Sequence, residues 1–277
     1  MQKLGKTGPD SPPTDGTRTW VDKTTGEAHE VSEGIDPGWD YAPGASLSDQ
    51  ARRHIEGKAA TLPPEIGAKL AKVAATSRPA APPVSLALRL PKTGPLADLA
   101  KETMQAIDAI HGDGALPTIP MVGGAGKGYN GALRVMPDGT AVDIRIAPRG
   151  PHPALTMAHE IGHFIDHQAI GTVGKFSYTD PIWDGFLKAA GESNAIKELF
   201  REPKSKYRDY YLQTWEIWAR AYAQWIAKKS GRKDMSVALN TIRGDRDPLY
   251  RNTQWDARDF EPIAAAIEGM FTQLGWL

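Results

Sequence analysis

Two histidines separated by three residues are the part of this sequence that could do chemistry. His159 and His163 enclose Glu160 in an HExxH pattern, within a mostly apolar stretch from Leu155 to Ile165. On a helix, residues four apart lie on one face a turn apart, so both imidazoles can bind one zinc ion. Glu160 follows the first histidine directly, where its carboxylate can act as general base toward the attacking water. The pattern predicts zinc-dependent hydrolysis, as in a peptidase.

The surrounding sequence favours a metal site over the alternative, which is an exposed helix whose two histidines have no chemical role. The flanking residues are mostly apolar, and polar side chains on a buried helix require partners. The sequence also contains no cysteine, which excludes disulfides, cysteine nucleophiles and cysteine-ligated zinc. Histidine and carboxylate are therefore the remaining strong ligands, and a zinc site here has to be of the hydrolase type.

Composition excludes several classes of partner. The 277 residues suffice for one substantial domain with an appendage, or for two small domains. Thirty-three Lys and Arg balance 33 Asp and Glu, so we expect no nucleic-acid specificity and no membrane partner. No apolar run has bilayer-spanning length, and the first residues lack the apolar core of a signal peptide. We expect a soluble protein made in the host cytoplasm.

Three segments are predicted along the chain. Residues 1–55 are rich in Gly, Pro, Asp, Ser and Thr, which predicts irregular structure with short strand-like pieces around a Thr25-Gly26 turn. Residues 56–84 combine a short helix with a proline-rich linker, because proline cannot continue a helix. Residues 85–277 contain the HExxH motif and form the main domain.

The elements before the motif predict an α+β fold. We expect a first strand over Val84–Leu90, a helix over Pro95–Ile110, and a hairpin of Ala132–Met136 with Ala141–Ala147. The turn Pro137-Asp138-Gly139 joins the hairpin strands. These strands predict a small antiparallel sheet packed on the HExxH helix.

A glycine-rich stretch before the hairpin resembles a phosphate-binding loop only superficially. In residues 123–128 a lysine follows several glycines, but Met121 occupies the position of the first required glycine, and no Ser or Thr follows Lys127. A strand rather than a helix is predicted next. We therefore expect a flexible flap beside a cleft.

The C-terminal half is predicted to be mostly helical. Residues 232–254 are mixed and polar and predict a loop over the site. The predicted helices are Pro181–Ala190, Glu192–Arg201, Tyr210–Lys229 and Asp259–Leu274.

A catalytic zinc takes three protein ligands, so a third donor is required. The helix rise from His159 to His167 is about 12 Å, too far to share one ion. Asp166 better suits a supporting role, accepting an N–H from a ligand histidine. Glu216 lies among large apolar neighbours, where a carboxylate needs a partner such as zinc. The alternative for Glu216 is a salt bridge with Arg220, four residues later.

The phrases "AHEIGHFID" and "WEIWARAY" together resemble the metallopeptidase-like domains of phage and mobile-element polyvalent proteins, and HExxH with a downstream helical Glu matches the gluzincin pattern of zincins. The resemblance implies a zincin-like fold with Zn²⁺ bound by His159, His163 and Glu216. Arg220 and Tyr222 belong to the second phrase and are the first candidates to stabilise the oxyanion of a tetrahedral intermediate. Further candidates are Tyr207, Tyr210 and Tyr211.

In zincins generally, the strand before the HExxH helix is the edge along which an extended substrate lies. In this sequence that strand is Ala141–Ala147, which includes Val142, Asp143, Ile144 and Arg145. Strand addition gives backbone hydrogen bonds that hold a peptide without demanding its sequence. A hairpin that only covers the helix is the alternative.

A second resemblance lies near the N-terminus. The run "TGE…V.EGIDPGWDYAPG", within residues 20–44, looks like the C-terminal region of phage Mu F-like minor head proteins. It implies a phage or prophage origin, with Trp39 and Tyr41 as possible contacts to head or portal proteins.

These patterns predict a phage- or prophage-encoded zinc metallopeptidase that acts on a protein or peptide, is associated with the virion, or is delivered with the DNA. Two alternatives stay open. One is a non-enzymatic head or interaction protein with a structural or degenerate zinc site. The other is a toxin-type metallohydrolase that acts on a host target.

Overall fold

The computed structural model describes most of the main domain and one N-terminal hairpin. The backbone of β1 (Thr17–Val21) pairs antiparallel with β2 (Ala28–Ser32), so the predicted strand-like pieces around Thr25-Gly26 are confirmed. The head-protein phrase with Trp39 and Tyr41, and the linker up to residue 80, lie outside the described residues. The described ranges are 17–21 and 28–32 (backbone only), 81–112, 116–124, 129–171, 173–174, 176 and 180–277.

In the described residues of the main domain, four short strands form one mixed sheet, in the order β3-β4-β6-β5. Strands β3 and β4 are parallel because helix α1 (Pro95–Asp108) returns the chain between them. β4 is also parallel to β6, and only β5 and β6 are antiparallel. The fold class α+β is confirmed, but the prediction that the sheet is antiparallel is wrong for two of the three strand pairs. The strands are β3 (Leu88–Arg89), β4 (Ile119–Gly123), β5 (Gly131–Val135) and β6 (Ala141–Ile146).

The predicted hairpin is confirmed, and the predicted first strand is not. β5 and β6 pair with Leu133 opposite Ile144, and Gly139 in their turn has a φ of 87°, which glycine adopts without steric cost. By contrast, Val84–Ala87 forms a 3₁₀ turn, which leaves only the two residues of β3 in the sheet.

Strand β6 lies inside the sheet, which corrects the substrate-edge prediction for Val142, Asp143, Ile144 and Arg145. Residues 144–146 of this strand pair with β4 on one side, and the strand pairs with β5 on the other. It therefore lies between two strands and does not form the open edge along which a substrate would add. Strand β5 is the edge strand on this side of the sheet.

Helices make up the rest of the main domain. A short 3₁₀ turn over Pro181–Trp183 leads into the first helix of the C-terminal half. The segment 232–254, predicted as a loop, contains two helices. Its buried residues Met235, Ala238, Leu239 and Ile242 have the i, i+3, i+4, i+7 spacing of an amphipathic helix. The helices are α2 (Pro153–Ala169), α3 (Asp184–Glu192), α4 (Asn194–Arg201), α5 (Lys206–Tyr211), α6 (Thr214–Ser230), α7 (Lys233–Arg243), α8 (Pro248–Arg251) and α9 (Ala257–Leu274).

Helices α2 and α6 pack directly on each other at the centre of the domain. A Cβ at Gly162 of α2 would lie 3.0 Å from Cδ1 of Tyr222 and 3.2 Å from Cα of Ala219, both on α6. The indole N–H of Trp218 donates to the carbonyl of Gly162 at 2.9 Å. Glycine thus lets the two backbones approach closely, which fixes the HExxH helix against its neighbour. None of the described helices is both long and apolar enough to cross a bilayer.

Candidate metal centre

Helix α2 carries the HExxH motif in a buried position. It begins with Pro153 at its first position, which suits proline because that N–H would be unpaired anyway. The preceding residue, His152, has a left-handed conformation with a φ of 52°, unusual for a residue other than glycine. Most of α2 is buried, so its polar residues have to be satisfied by protein partners or by a ligand.

Three predicted ligands meet at one point between α2 and α6. His159 Nε2 and His163 Nε2 lie 3.0 Å apart. Glu216 Oε2 lies 3.4 Å from His159 Nε2, and Glu216 Oε1 lies 3.3 Å from His163 Nε2. One ligand atom from each residue lies within 4.8 Å of the other two. The carboxylate of Glu216 is therefore directed to the histidines and not to Arg220, the alternative partner.

Two of these three separations fit a tetrahedral zinc ion, and the distance between the histidine nitrogens is shorter. Ligands at about 2.0–2.1 Å from a tetrahedral zinc stand about 3.3–3.4 Å from one another, which matches the two histidine–carboxylate distances. Two imidazoles and one carboxylate are a ligand set that catalytic zinc sites use. The hydroxyl of Tyr210 donates to Glu216 Oε1 at 2.7 Å, an outer contact of the kind that orients a metal-binding carboxylate.

The charges of the cluster favour a cation at its centre. Burial alone would raise the pKa of Glu216, but the charges and hydrogen bonds of His163 and His159 hold it well below its usual value. Burial alone would lower the pKa of His163, but Glu216, Glu160 and Asp166 raise it overall. Both directions follow from carboxylates and imidazoles sharing a buried space, where a proton or a metal ion is stabilised.

Asp166 and His167 lie outside the three-ligand group, as predicted. Asp166 is buried and its charge raises the pKa of His163. Nδ1 of His163, however, has no hydrogen-bond partner among the described residues, so Asp166 acts on this ring through charge and not by accepting its N–H. The ring of His167 is hydrogen-bonded to the side chain of Gln168. Burial, together with the charge of His163, lowers the pKa of His167 to about 4.

Glu160 is held between α2 and the edge strand. Its Oε2 accepts the backbone N–H of Leu133 on β5 at 2.8 Å, and the side chain is buried. Gly131 on β5 leaves the space that this carboxylate fills, because a Cβ there would lie 2.8 Å from Glu160 Oε1. Sequence reasoning missed Gly131, although a glycine inside a strand often marks such a close approach.

The two candidates for oxyanion stabilisation lie in different environments. Arg220 lines the same cleft as His159 and Glu216. Tyr222 is fully buried, and its hydroxyl is 2.8 Å from Nε2 of His111. Burial also raises the pKa of Tyr222 well above its usual value. The prediction for Tyr222 is therefore wrong, because its side chain belongs to the aromatic core and not to the cleft.

The other three candidate tyrosines also differ in their positions relative to the cleft. Tyr211 lines the cleft, whereas the hydroxyl of Tyr210 donates a hydrogen bond to Glu216. Tyr207 is 43% exposed and does not line the cleft. Of these, Tyr211 alone is placed to meet a bound molecule directly.

The cleft encloses about 90 Å³ beside His159 and Glu216, two of the three candidate ligands. Residues from the segment predicted as a loop close one side of it, so the predicted position over the site is confirmed although its helices were missed. Sequence reasoning did not identify His152 or Gln254, and no local pattern marks either one. The polar residues of its lining include His152, His159, Tyr211, Glu216, Arg220 and Gln254.

Comparison of the chain with protein-family models, with curated proteins and with solved structures finds no match. Two histidines and a carboxylate that could hold an ion, a second carboxylate beside them and an open cleft are the components that metal-assisted hydrolysis requires.

Proposed function

We propose that this chain is a zinc-dependent peptidase whose metal ion is bound by His159, His163 and Glu216. The observation that carries the proposal is the convergence of these three side chains, from two helices, within 4.8 Å. Two of the three separations match a tetrahedral ion, and the general-base candidate Glu160 follows the first ligand on the same helix. The site also opens into a cleft, which a structural zinc site does not require.

A zinc ion in this position would supply a Lewis acid that makes a water more acidic and polarises a substrate carbonyl. Glu160 supplies the proton transfers. Its Oε2 is fixed by the N–H of Leu133, whereas its Oε1 accepts no hydrogen bond from a described residue. Oε1 is therefore the atom that takes the proton from the attacking water and then gives it to the leaving amine.

Edge strand β5 is suited to position the substrate. The N–H of Leu133 points away from β6 and toward Glu160, so the unpaired side of β5 faces the catalytic carboxylate. A peptide lying along this side would have its backbone next to Glu160, held by main-chain hydrogen bonds. This arrangement favours a peptide as the substrate.

The biological setting that we propose is a phage or prophage, in which the peptidase processes head proteins or enters the recipient cell with the DNA. This part rests on the resemblance of residues 20–44 to minor head proteins. The host cytoplasm as the place of synthesis and the contacts of Trp39 and Tyr41 belong to the same proposal.

Metal analysis and a cleavage comparison test the proposal. Purified protein should contain about one zinc per chain, and Glu216→Ala should retain much less. Glu160→Gln should keep the zinc but reduce cleavage of head proteins or host lysate by about 10²–10⁴-fold. Glu261→Gln, at an exposed position of α9, is the matched control and should cleave normally. Mass spectrometry of the products also identifies the substrate.

Two results would contradict the proposal. A protein that binds no metal would remove its basis. Identical cleavage profiles for wild type and Glu160→Gln would instead support the interaction-protein alternative.

A further inference from the structure

Arg220 is a buried cation with most of its hydrogen-bonding groups uncommitted. Its side chain lies one turn after Glu216 on α6, is only 6% exposed, and lines the cleft. Nη2 donates to the carbonyl of Tyr211, and the guanidinium carbon lies 5.4 Å from the centre of the Tyr211 ring. Nε and Nη1 donate to none of the described residues. Three of the five N–H bonds of the guanidinium are therefore buried beside the cleft without an acceptor.

This charge lacks a carboxylate partner within the described part of the chain. Glu216 directs its two oxygens to His159 and His163, and Arg220 forms no ion pair of its own there. Burial lowers the pKa of Arg220 and outweighs the charge of Glu216, which raises it. The net direction is the one expected for a cation removed from water. An unpaired buried charge is costly, so an anionic group that enters the cleft would bind strongly.

Gln254 is a second uncommitted group in the same cleft. It is 6% exposed, and its side-chain oxygen has no hydrogen-bond partner among the described residues. Rotation of the amide exchanges its oxygen and nitrogen, so Gln254 can accept a peptide N–H or donate to a carboxylate. A guanidinium and an amide in one cleft fit a peptide that carries a carboxylate.

We propose that Arg220 anchors a carboxylate of the bound peptide. Four residues of helix separate Glu216 from Arg220, a rise of about 6 Å, which one or two residues of an extended peptide span. The carboxylate therefore belongs to a residue one or two positions from the scissile bond. It is either the C-terminal carboxylate or the side chain of Asp or Glu.

The position of the scissile bond rests on the proposed function, whereas recognition of the carboxylate requires only Arg220. A group that stabilised the oxyanion alone would contribute in the transition state and not in the ground state. Affinity for a carboxylate peptide in the absence of reaction therefore separates the anchoring role from the oxyanion role.

The test measures binding to the full chain after a chelator has removed metal, so that no probe is cleaved. The first probe pair is N-acetyl-trialanine as free acid and as C-terminal amide. The second is N-acetyl-Ala-Glu-Ala amide and its Gln counterpart. We expect the acid of at least one pair to bind about tenfold more tightly than its neutral partner by calorimetry.

Variants assign this preference to one side chain. Arg220→Gln should abolish it, and Arg220→Lys, which keeps the charge and helps to preserve the fold, should reduce it. The matched control is Arg208→Gln, because Arg208 on α5 already pairs with Asp209 and does not line the cleft; it should keep the preference. Circular dichroism confirms that each variant is folded.

A preference for the acid in the first pair would identify the C-terminal carboxylate as the group that Arg220 binds. A preference in the second pair would identify an acidic side chain instead. Equal affinities within both pairs would overturn the proposal, and so would a preference that persists in Arg220→Gln. A protein that binds no zinc but keeps the Arg220-dependent preference would refute the peptidase proposal and leave this one standing.

Discussion

Replacement of Gly131 by alanine should disable Glu160 without touching the metal ligands. A Cβ at this position would lie 2.7 Å from Cγ2 of Thr156 and 2.8 Å from both Cγ and Oε1 of Glu160. Ordinary contacts of a Cβ begin at 3.4 Å, so the glutamate has to move by about 0.6 Å (3.4 minus 2.8) or the strand has to retreat. Either movement strains the 2.8 Å hydrogen bond from Leu133 that fixes the carboxylate.

The expected magnitudes follow from this displacement. A misplacement of about 1 Å can cost about 10²-fold in rate, so a shift of about 0.6 Å predicts a loss of about tenfold to a hundredfold in kcat/KM. Overpacking of this kind lowers the free energy of unfolding by about 1–3 kcal/mol. The zinc content should stay at its wild-type value, because none of the three close contacts involves His159, His163 or Glu216.

Three measurements on one preparation check this prediction: zinc content by mass spectrometry, urea unfolding, and cleavage of a substrate that wild type cuts and Glu160→Gln does not. Gly123→Ala on β4 is the matched control, since the new Cβ would make only an ordinary contact of 3.7 Å with Leu96. A folded Gly131→Ala protein that cleaves like wild type would refute the assignment of Glu160 as the positioned base.

Three further predictions concern one residue that contacts a candidate metal ligand and two buried residues that affect the stability of the fold. Tyr210→Phe removes the hydroxyl that donates to Glu216 and should weaken zinc affinity by about 10–100-fold in chelator competition; unchanged affinity would contradict the supporting role of this hydroxyl. Burial lowers the pKa of His111 to about 4, against about 6.5 in an unfolded chain. Between these values the unfolded chain binds more protons, so the free energy of unfolding should fall as pH drops from about 6.5 toward 4, by up to about 1.4 kcal/mol per unit. Urea unfolding of His111→Gln should show a shallower decline, and an equal decline would assign the effect elsewhere. Gly162→Val should lower the free energy of unfolding by about 1–3 kcal/mol, because its Cβ would begin 3.0 Å from the facing helix; a stability equal to wild type would mean that α2 and α6 can separate freely.

The candidate site was largely predictable because its ligands lie on two long helices. Apolar periodicity predicts both helices, although α6 begins at Thr214 and not at the predicted Tyr210, which lies in α5. HExxH fixes two ligands within one helical turn. Glu216 required a tertiary contact, which its large apolar neighbours and a family resemblance indicated. The structure then brings its carboxylate to the histidines.

The error at Tyr222 could have been avoided from helix geometry alone. At about 100° per residue, Arg220 lies about 40° from Glu216 around α6, whereas Tyr222 lies about 120° from it. A side chain on a different face of the same helix cannot enter the same cleft. Membership of one sequence phrase therefore says less about the site than the angle around the helix.

The strand order could not be read from the sequence. Strand β6 directly precedes the HExxH helix in the chain, yet β4 pairs along its far side and makes it an interior strand. Strand β4 was missed because Ile119–Gly123 contains Pro120 and adjoins a glycine-rich stretch, so its alternation is too short to recognise. Its conformation comes from pairing with β3 and β6, a non-local interaction.

The close contact of α2 with α6 also sets the order in which the site can be assembled. Glu216 follows His163 by 53 residues (216 minus 163), so a nascent or unfolded chain presents two ligands in one place and the third far away. The complete site exists only after α6 has docked on α2 through Gly162 and Trp218. Zinc binding would then act as a cross-link that favours the docked state by mass action. Loading of the metal would accordingly report the completion of folding, and the proposed activity would arise during synthesis only after α6 had left the ribosome.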